Sequence, residues 1–200
     1  MATTITTIVI QSKTNARSGR QQRGFSLLEV VISIAILTIG LVSLAGVFGL
    51  AMASTQESQE DMIAKQIANE AVESIVTARN TAQITWDSVQ NTSDGGIFLN
   101  GFQQAYMPAG DGILGTADDV TGAQYVTITE PGPDGVYGTG DDLSLPLSNY
   151  QRQIQILPVT DANGNVVASL RAINVTVRYN TPRTRIQKTY VLSSFISQFR

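Results

Sequence analysis

The sequence predicts an α+β protein in which one long N-terminal helix packs on a C-terminal antiparallel β-sheet. Residues 30–53 form an uncharged apolar run, and residues 54–80 contain no Pro or Gly and repeat apolar side chains at helical spacing. Residues 173–179 instead alternate apolar and polar side chains, which is the period of a strand with one buried face. Because a helix and a sheet each bury one apolar surface, packing them on each other is the expected solution.

The apolar run is long enough to span a membrane. Its 24 residues make a helix of about 36 Å, and the hydrocarbon core needs about 20 apolar residues. A cleavable secretory signal would have an apolar region of only about 7–15 residues, although cleavage after Ala53 stays open as an alternative. Residues 1–24 carry no acid and four cations, namely Lys13, Arg17, Arg20 and Arg23. The positive-inside rule therefore predicts a cytoplasmic N-terminus, with the bulk of the chain outside.

Glu29 is the only carboxylate near the start of this helix. A carboxylate at the centre of a membrane-spanning helix costs about 2.5–3.5 kcal/mol, whereas the positive end of a helix favours it by only about 0.3–1 kcal/mol. A buried Glu29 therefore needs a cationic partner, and a paired charge of this kind fixes register better than it adds stability. The alternative is that Glu29 extends to the lipid headgroups.

Residues 24–40, GFSLLEVVISIAILTIG, resemble the class III signal of type IV prepilins and type II secretion pseudopilins. The shared features are a basic leader that ends in Gly, an aromatic residue after it, and Glu at the fifth position beyond the cut. Residues 36–46, ILTIGLVSLAG, resemble minor pilins of the PilV kind. The resemblance implies a pilin-like fold, cleavage between Gly24 and Phe25 by a prepilin peptidase, N-methylation of Phe25, and pairing of Glu29 with an N-terminus in the filament.

With this resemblance, the chain divides into four segments. Residues 1–24 are a cytoplasmic leader, residues 25–53 a transmembrane and filament-core helix, residues 54–80 an amphipathic stem, and residues 81–200 an extracytoplasmic β-rich domain. The implied function is that of a minor type IV pilin, single-pass in the inner membrane and later at the cell surface in a pilus or its tip complex. The implied partners are other pilin subunits, the prepilin peptidase and the pilus assembly platform. A type II secretion pseudopilin is the alternative within the same class.

The C-terminal third predicts a meander of three antiparallel strands joined by short turns. The expected strands are residues 150–159, 173–179 and 187–196, with turns at residues 161–165 and 180–183. An earlier strand at residues 124–130 is expected to join this sheet or an adjacent hairpin.

Composition excludes several kinds of site. The chain has no Cys and no His, which removes disulfides, thiolate and imidazole metal sites, and catalytic arrangements that need either side chain. Its net charge is −3, and it would be −7 without the four leader cations. An acidic chain is a poor general nucleic-acid binder. Neither a nucleic-acid partner nor an enzymatic activity is expected.

Two Asp- and Gly-rich repeats, residues 108–119 and 131–142, share the pattern P-x-x-D-G-x-x-G-T-x-D-D. Their carboxylates are candidate Ca²⁺ ligands, because Ca²⁺ takes six to eight oxygen ligands in irregular geometry. The candidates are Asp111, Asp118, Asp119, Asp134, Asp141 and Asp142. The alternative is a pair of solvated Asx-type turns that cap hairpins. With Ca²⁺, the chain would be a membrane-anchored adhesive or binding module.

The C-terminal meander is basic against these acidic loops. Its cations are Arg171, Arg178, Arg183, Arg185 and Lys188. They predict either a charged contact with another subunit or a surface ligand, or a solvated sheet face. Trp86, the only tryptophan, is expected to pack near the junction of helix and sheet.

Overall fold

The computed structural model describes residues 24–121, 123–181 and 186–199. The predicted leader up to residue 23 lies outside the described residues, as does most of the predicted turn at residues 180–183. The chain divides into two units, Met1–Gly49 and Leu50–Arg200. In chain order the elements are α1 (Leu27–Asn80), a 3₁₀ turn (Thr92–Asp94), β1 (Gln103–Gln104), α2 (Ala117–Thr121), β2 (Thr127–Glu130), β3 (Leu143–Pro146), β4 (Tyr150–Thr160), β5 (Val166–Asn180) and β6 (Gln187–Ser197).

Helix α1 has 54 residues and well-defined ends. The carbonyl of Ser26 accepts the first helical hydrogen bond, from the Val30 N–H at 3.2 Å. At the other end, the N–H of Gln83 donates to the carbonyl of Ala78 at 2.9 Å, which is the six-to-one bond of a Schellman motif. Ala82 supplies the left-handed residue of this motif, with φ of +61°. The helix therefore stops without the glycine that usually occupies that position.

The second half of α1 forms one wall of the core. Its buried apolar residues follow the spacing i, i+3, i+4 and i+7, and they are Ala64, Ile67, Ala68, Ala71, Ile75 and Ala78. They pack with the inner face of the sheet, which contributes Tyr150, Ile154, Ile156, Ile173, Val175, Val177, Tyr179 and Ile196. Since four of the six helix residues are alanines, the helix backbone can approach the sheet closely. The predicted α+β fold with a helix on an antiparallel sheet is confirmed.

The main sheet has four antiparallel strands in the order β1-β4-β5-β6. The predicted meander corresponds to β4, β5 and β6. The turn between β4 and β5 is held by Asp161, whose Oδ1 accepts the N–H groups of Asn163 at 2.9 Å and Asn165 at 2.8 Å. Gly164 in the same turn has φ of +85°. The short strand β1 was not predicted.

The second sheet is the hairpin of β2 and β3, which pair antiparallel from Thr127 with Pro146 to Glu130 with Leu143. Of the two alternatives for residues 124–130, the adjacent hairpin is therefore the observed one. The connection between its strands is the second Asp/Gly repeat. The Leu147 N–H extends the pairing by donating to the Val126 carbonyl at 2.8 Å. The hairpin is joined to the rest of the domain by the Val126 N–H, which donates to the Ala105 carbonyl at 2.9 Å.

Asn91 occupies the edge of β4 beyond the short strand β1. Its Oδ1 accepts the Ile156 N–H at 2.8 Å, and its Nδ2 donates to the Ile154 carbonyl at 2.9 Å. One buried side chain thus makes the two backbone hydrogen bonds that a neighbouring strand would make. The loop after α1 is in this way joined to the sheet.

Candidate functional site

The predicted cleavage site lies in accessible backbone just before α1. Gly24, Phe25 and Ser26 precede the first helical residue, and all three are exposed. A Cβ added to Gly24 would meet no atom within 4 Å. A protease must bind its substrate in an extended form, and a helical peptide bond would first have to unwind. The peptide between Gly24 and Phe25 does not carry that cost.

Glu29 lies in the first turn of α1, at the end of the helix where backbone N–H groups favour a carboxylate. The Ser33 hydroxyl donates to the backbone carbonyl of Glu29 at 2.7 Å, so this hydroxyl has its hydrogen-bond partner within the helix. The sequence contains no Lys, Arg or His from Gly24 to Ala64. A cationic side chain for Glu29 is therefore absent from its own helix until Lys65. Cleavage between Gly24 and Phe25 would remove Arg23 and create an amine at Phe25.

The first half of α1 exposes a continuous apolar surface. Its large apolar side chains between Leu27 and Leu50 are 45% to 85% exposed. Within the described part of the chain, α1 is the one helix long and apolar enough to cross a membrane, and none of the residues in its most apolar stretch is buried. An apolar surface of this extent indicates a membrane or protein contact.

The two Asp/Gly repeats fold into the same turn. The equivalent bonds join Ile113 N to Asp111 Oδ1 (2.8 Å), Val136 N to Asp134 Oδ1 (2.9 Å), Gly115 N to Asp119 Oδ2 (2.7 Å) and Gly138 N to Asp142 Oδ2 (2.6 Å). Both copies also place glycine at the same two positive φ angles, between +69° and +89°. Since the two copies lie in different surroundings, the twelve-residue pattern itself specifies the turn.

The surroundings of the two copies differ sharply. The first copy packs into the core, and its last carboxylate, that of Asp119, is buried and also accepts the Ala109 N–H at 3.0 Å. The second copy extends from the β2–β3 hairpin into solvent, and Asp142 makes no second bond of this kind. After the shared turn, the first copy continues as α2 and the second as β3. The sequence gives no sign of this difference, because the motif residues are the same.

The charges in the repeats respond to these surroundings. Burial raises the pKa of the Asp119 carboxyl group. A hydrogen bond from the Thr116 hydroxyl lowers the pKa of Asp118, and the matching bond from Thr139 lowers the pKa of Asp141. Near the first repeat, burial lowers the pKa of Arg152 to about 10, and its Nη1 has no hydrogen-bond partner among the described residues. Asp119 therefore serves the packing of the first repeat, while Asp118 and Asp141 stay ionised at neutral pH.

Calcium binding stays a prediction. The Thr116 hydroxyl brings Asp111 and Asp118 together, at 3.5 Å and 2.5 Å from their nearest carboxylate oxygens. However, within residues 24–121, 123–181 and 186–199 no group of three or more acidic side chains is placed to hold a metal ion. The Asx-turn hydrogen bonds that were expected as the alternative are present in both repeats.

Three of the five meander cations are held by contacts within the domain. Arg171 lies over the Trp86 ring at 4.3 Å and donates to the Val89 carbonyl at 2.7 Å. Arg178 lies 3.8 Å from the Phe102 ring centre. Lys188 forms ion pairs with α1, at 3.5 Å from Glu57 and 3.7 Å from Asp61. The predictions for Arg183 and Arg185 lie outside the described residues. Arg171 and Arg178 thus join loop to sheet, a role that their alternating sequence positions did not indicate.

Comparison with known protein families matches residues 19–45 to the prokaryotic N-terminal methylation motif. Neither the comparison with curated proteins nor that with solved structures found a match. The motif includes Gly24, Phe25 and Glu29, and it supports a type IV pilin-like protein. It favours a structural subunit over an enzyme. The single apolar helix near the N-terminus fits the membrane anchor of such a protein.

Replacing Asp119 with Asn should destabilise the domain more than replacing Asp142 with Asn. An amide has only one acceptor oxygen, so in the buried copy either the Ala109 or the Gly115 N–H would lose its partner. A buried unsatisfied group costs about 1–3 kcal/mol. Asp142 is half-buried and accepts the backbone N–H of Gly138, which the remaining amide oxygen of Asn can still accept, so a smaller loss is expected there. Thermal unfolding of the full chain in detergent, followed by Trp86 fluorescence, measures both. Equal shifts for the two variants would contradict the role given to Asp119.

A calcium titration of the full chain in detergent tests the predicted metal site. If the repeats bind Ca²⁺, calorimetry should record heat and the melting temperature should rise, because a ligand that binds only the folded state stabilises it. The double variant Asp118→Asn, Asp141→Asn should lose both effects, since it removes one candidate carboxylate ligand from each repeat. Mg²⁺ serves as the control ion. A chain that shows neither heat nor a thermal shift does not bind calcium.

Proposed function

We propose that the chain is a minor type IV pilin, stored in the inner membrane and later assembled into a pilus or its tip complex. In this proposal a prepilin peptidase cuts between Gly24 and Phe25, and the new Phe25 amine is methylated. The leader, residues 1–24, stays in the cytoplasm, and the domain of residues 81–200 lies outside. Its partners are other pilins, the peptidase and the assembly platform.

The observation that carries the proposal is the apolar surface of α1 together with the methylation motif. Every large apolar side chain in the first half of the helix is exposed, so that surface needs a partner outside its own chain. In the membrane the partner is lipid, and in a filament it is the same segment of other subunits. The cationic leader would hold the segment at the cytoplasmic face of the membrane. Cleavage after Gly24 removes the four leader cations.

Glu29 then acts as the register mark. Among packed apolar helices an unpaired carboxylate is costly, and the helix supplies no cation of its own before Lys65. The methylated amine of Phe25 on a neighbouring subunit would satisfy Glu29 only at one axial offset between the helices. Apolar side chains alone tolerate several offsets, because packing energy changes little from one to the next. The pair therefore selects one offset.

A type II secretion pseudopilin shares all of these features, and the motif does not distinguish the two. The minor pilin is proposed on the resemblance of residues 36–46 to that group. The second function class, a calcium-dependent binding module carried on the same helix, depends on the titration above. It is compatible with assembly, because the repeats lie in a different part of the chain from the helix motif.

The first test is the N-terminus of the chain isolated from cells that assemble it. N-terminal sequencing and intact mass should give a chain that begins at Phe25 and carries one added methyl group. Replacing Gly24 with a bulky residue such as Leu should leave the leader in place, because the peptidase must approach the peptide bond closely. A chain that instead begins at Ser54 would be an ordinary secreted protein.

The second test replaces Glu29 with Ala. Insertion and cleavage should continue, because Glu29 contributes little to either, but incorporation into the filament should fall by more than about tenfold. Removing one partner of a buried pair costs about 3–5 kcal/mol. The control is Glu73→Ala, which removes an exposed carboxylate from the second half of the same helix. Filament incorporation is measured by quantitative immunoblotting of sheared material. Normal incorporation of the Glu29 variant would disprove the register role.

A further inference from the structure

The two repeats present an apolar pair at the same position of the turn, but only one pair is buried. In the first copy, Ile113 and Leu114 are 2% and 4% exposed. In the second copy, Val136 and Tyr137 are 55% and 67% exposed. The backbone of the turn is the same in both. One copy therefore shows how this turn docks, and the other presents the same docking element to solvent.

The first copy packs into the domain through two apolar side chains and through hydrogen bonds made by backbone groups of the turn. The N–H of Leu114 donates to the Ser74 hydroxyl of α1 at 3.3 Å. The carbonyl of Gly115 accepts the Leu99 N–H at 2.8 Å, and the carbonyl of Asp111 accepts the side-chain amide of Gln83. The receiving pocket is therefore apolar at its base, with a hydroxyl and N–H donors at its rim.

The same backbone groups are available in the second copy. The equivalents are the N–H of Tyr137 and the carbonyls of Gly138 and Asp134. None of them has a hydrogen-bond partner in the part of the chain that the structure describes. The turn itself is fixed by two Asp-to-backbone bonds and by glycines at φ of +69° and +85°. A rigid loop with an exposed apolar tip loses little conformational entropy on binding.

We propose that Val136 and Tyr137 dock into an apolar pocket on a neighbouring protein subunit of the assembly. The pocket has the chemistry of the one that holds Ile113 and Leu114: an apolar base, a hydroxyl that accepts the Tyr137 N–H, and an N–H donor for the Gly138 carbonyl. The proposal rests on the proposed function, because it requires an assembly. It gives the globular domain a specific contact in addition to the packing of N-terminal helices.

Charge and occupancy favour another protein over the other candidates. The loop carries Glu130, Asp134, Asp141 and Asp142, and the sequence has no cation from Glu130 to Gln151. An acidic loop is repelled by anionic headgroups, which argues against a lipid surface. In a second copy of this chain, the pocket that accepts the turn is already filled by that copy's first repeat. The partner is therefore a different subunit.

The experiment compares three variants of the full chain in cells that assemble it. Val136→Ser with Tyr137→Ser removes the apolar tip. Val136→Ile with Tyr137→Leu gives the tip the residues of the buried copy. Val166→Ser is the matched control, because Val166 is 62% exposed but lies in the β4–β5 hairpin. Since all three positions are exposed, the melting temperature of each variant should equal that of the parent chain.

The serine variant should be incorporated about tenfold less, because it removes both apolar side chains from the contact. The Ile/Leu variant and the Val166 variant should be incorporated normally. A photo-crosslinking residue at position 137 should form an adduct with one different subunit, mapped by mass spectrometry to an apolar pocket. The serine variant of position 136 should suppress that adduct.

Three results would overturn the proposal. These are normal incorporation of the serine variant, failure of the Ile/Leu variant to assemble, and an adduct formed with lipid, polysaccharide or a second copy of this chain. The parent chain and the Glu29→Ala variant together distinguish failure of the docking proposal from failure of the proposed function. If that variant fails to assemble while the serine variant assembles normally, the chain is a pilin-like subunit and the docking tip is wrong. If the Glu29 variant assembles normally, only the register role is wrong. The proposed function itself is wrong if the parent chain is not incorporated into a filament or begins at Ser54 instead of Phe25.

Discussion

One helix must bury two apolar surfaces against two different partners, and the remaining structure follows from that constraint. Residues 64–78 bury their apolar face on the sheet of their own chain, where small alanine side chains allow the helix backbone to approach the sheet closely. The segment from Leu27 to Leu50 has no such partner among the residues that the structure describes, and its apolar side chains are exposed there. Only the first kind of burial stabilises the isolated subunit. The second becomes favourable in a membrane or in an assembly, so the same element serves folding at one end and association at the other.

The repeats show that a local pattern can fix a turn without fixing what the turn does. The Asp and Gly positions determine the backbone in both copies, because each carboxylate accepts an N–H of its own loop. Whether the apolar pair is buried or exposed differs with the element that follows the turn. That element is α2 in the first copy and β3 in the second. Burial then raises the pKa of Asp119. Ionisation of that carboxylate opposes folding, so its contribution to stability declines as pH rises through the raised pKa.

The helix could be predicted from its apolar run and its helical spacing, and the middle strand from the alternation over residues 173–179. That alternation covers only part of β5, which begins at Val166. The sequence predicts that the helix ends at residue 80, and α1 ends at Asn80. The left-handed residue after it is Ala82, although glycine is the usual residue at this position. Strand β3 (Leu143–Pro146) was missed because it is short, exposed and contains a proline. The site residues of the methylation motif are adjacent in sequence, so they could be found there. The packing of Arg171 against Trp86 could not be predicted from the sequence, because it depends on contacts between residues far apart in the chain.

Helix packing by itself cannot choose the neighbours of a subunit. Subunits that share an apolar N-terminal helix and a carboxylate near its start offer the same surface to one another, so their affinities differ little along the helix. Discrimination requires a difference in affinity between partners. That difference must come from the globular domain, where shape and charge vary freely. The exposed tip at Val136 and Tyr137 meets this requirement, since an apolar pair on an acidic, rigid loop fits a matching pocket and is excluded from a charged or filled one. In the proposed division of roles, the helix would set the axial position of the subunit, and the domain would set which subunit occupies it.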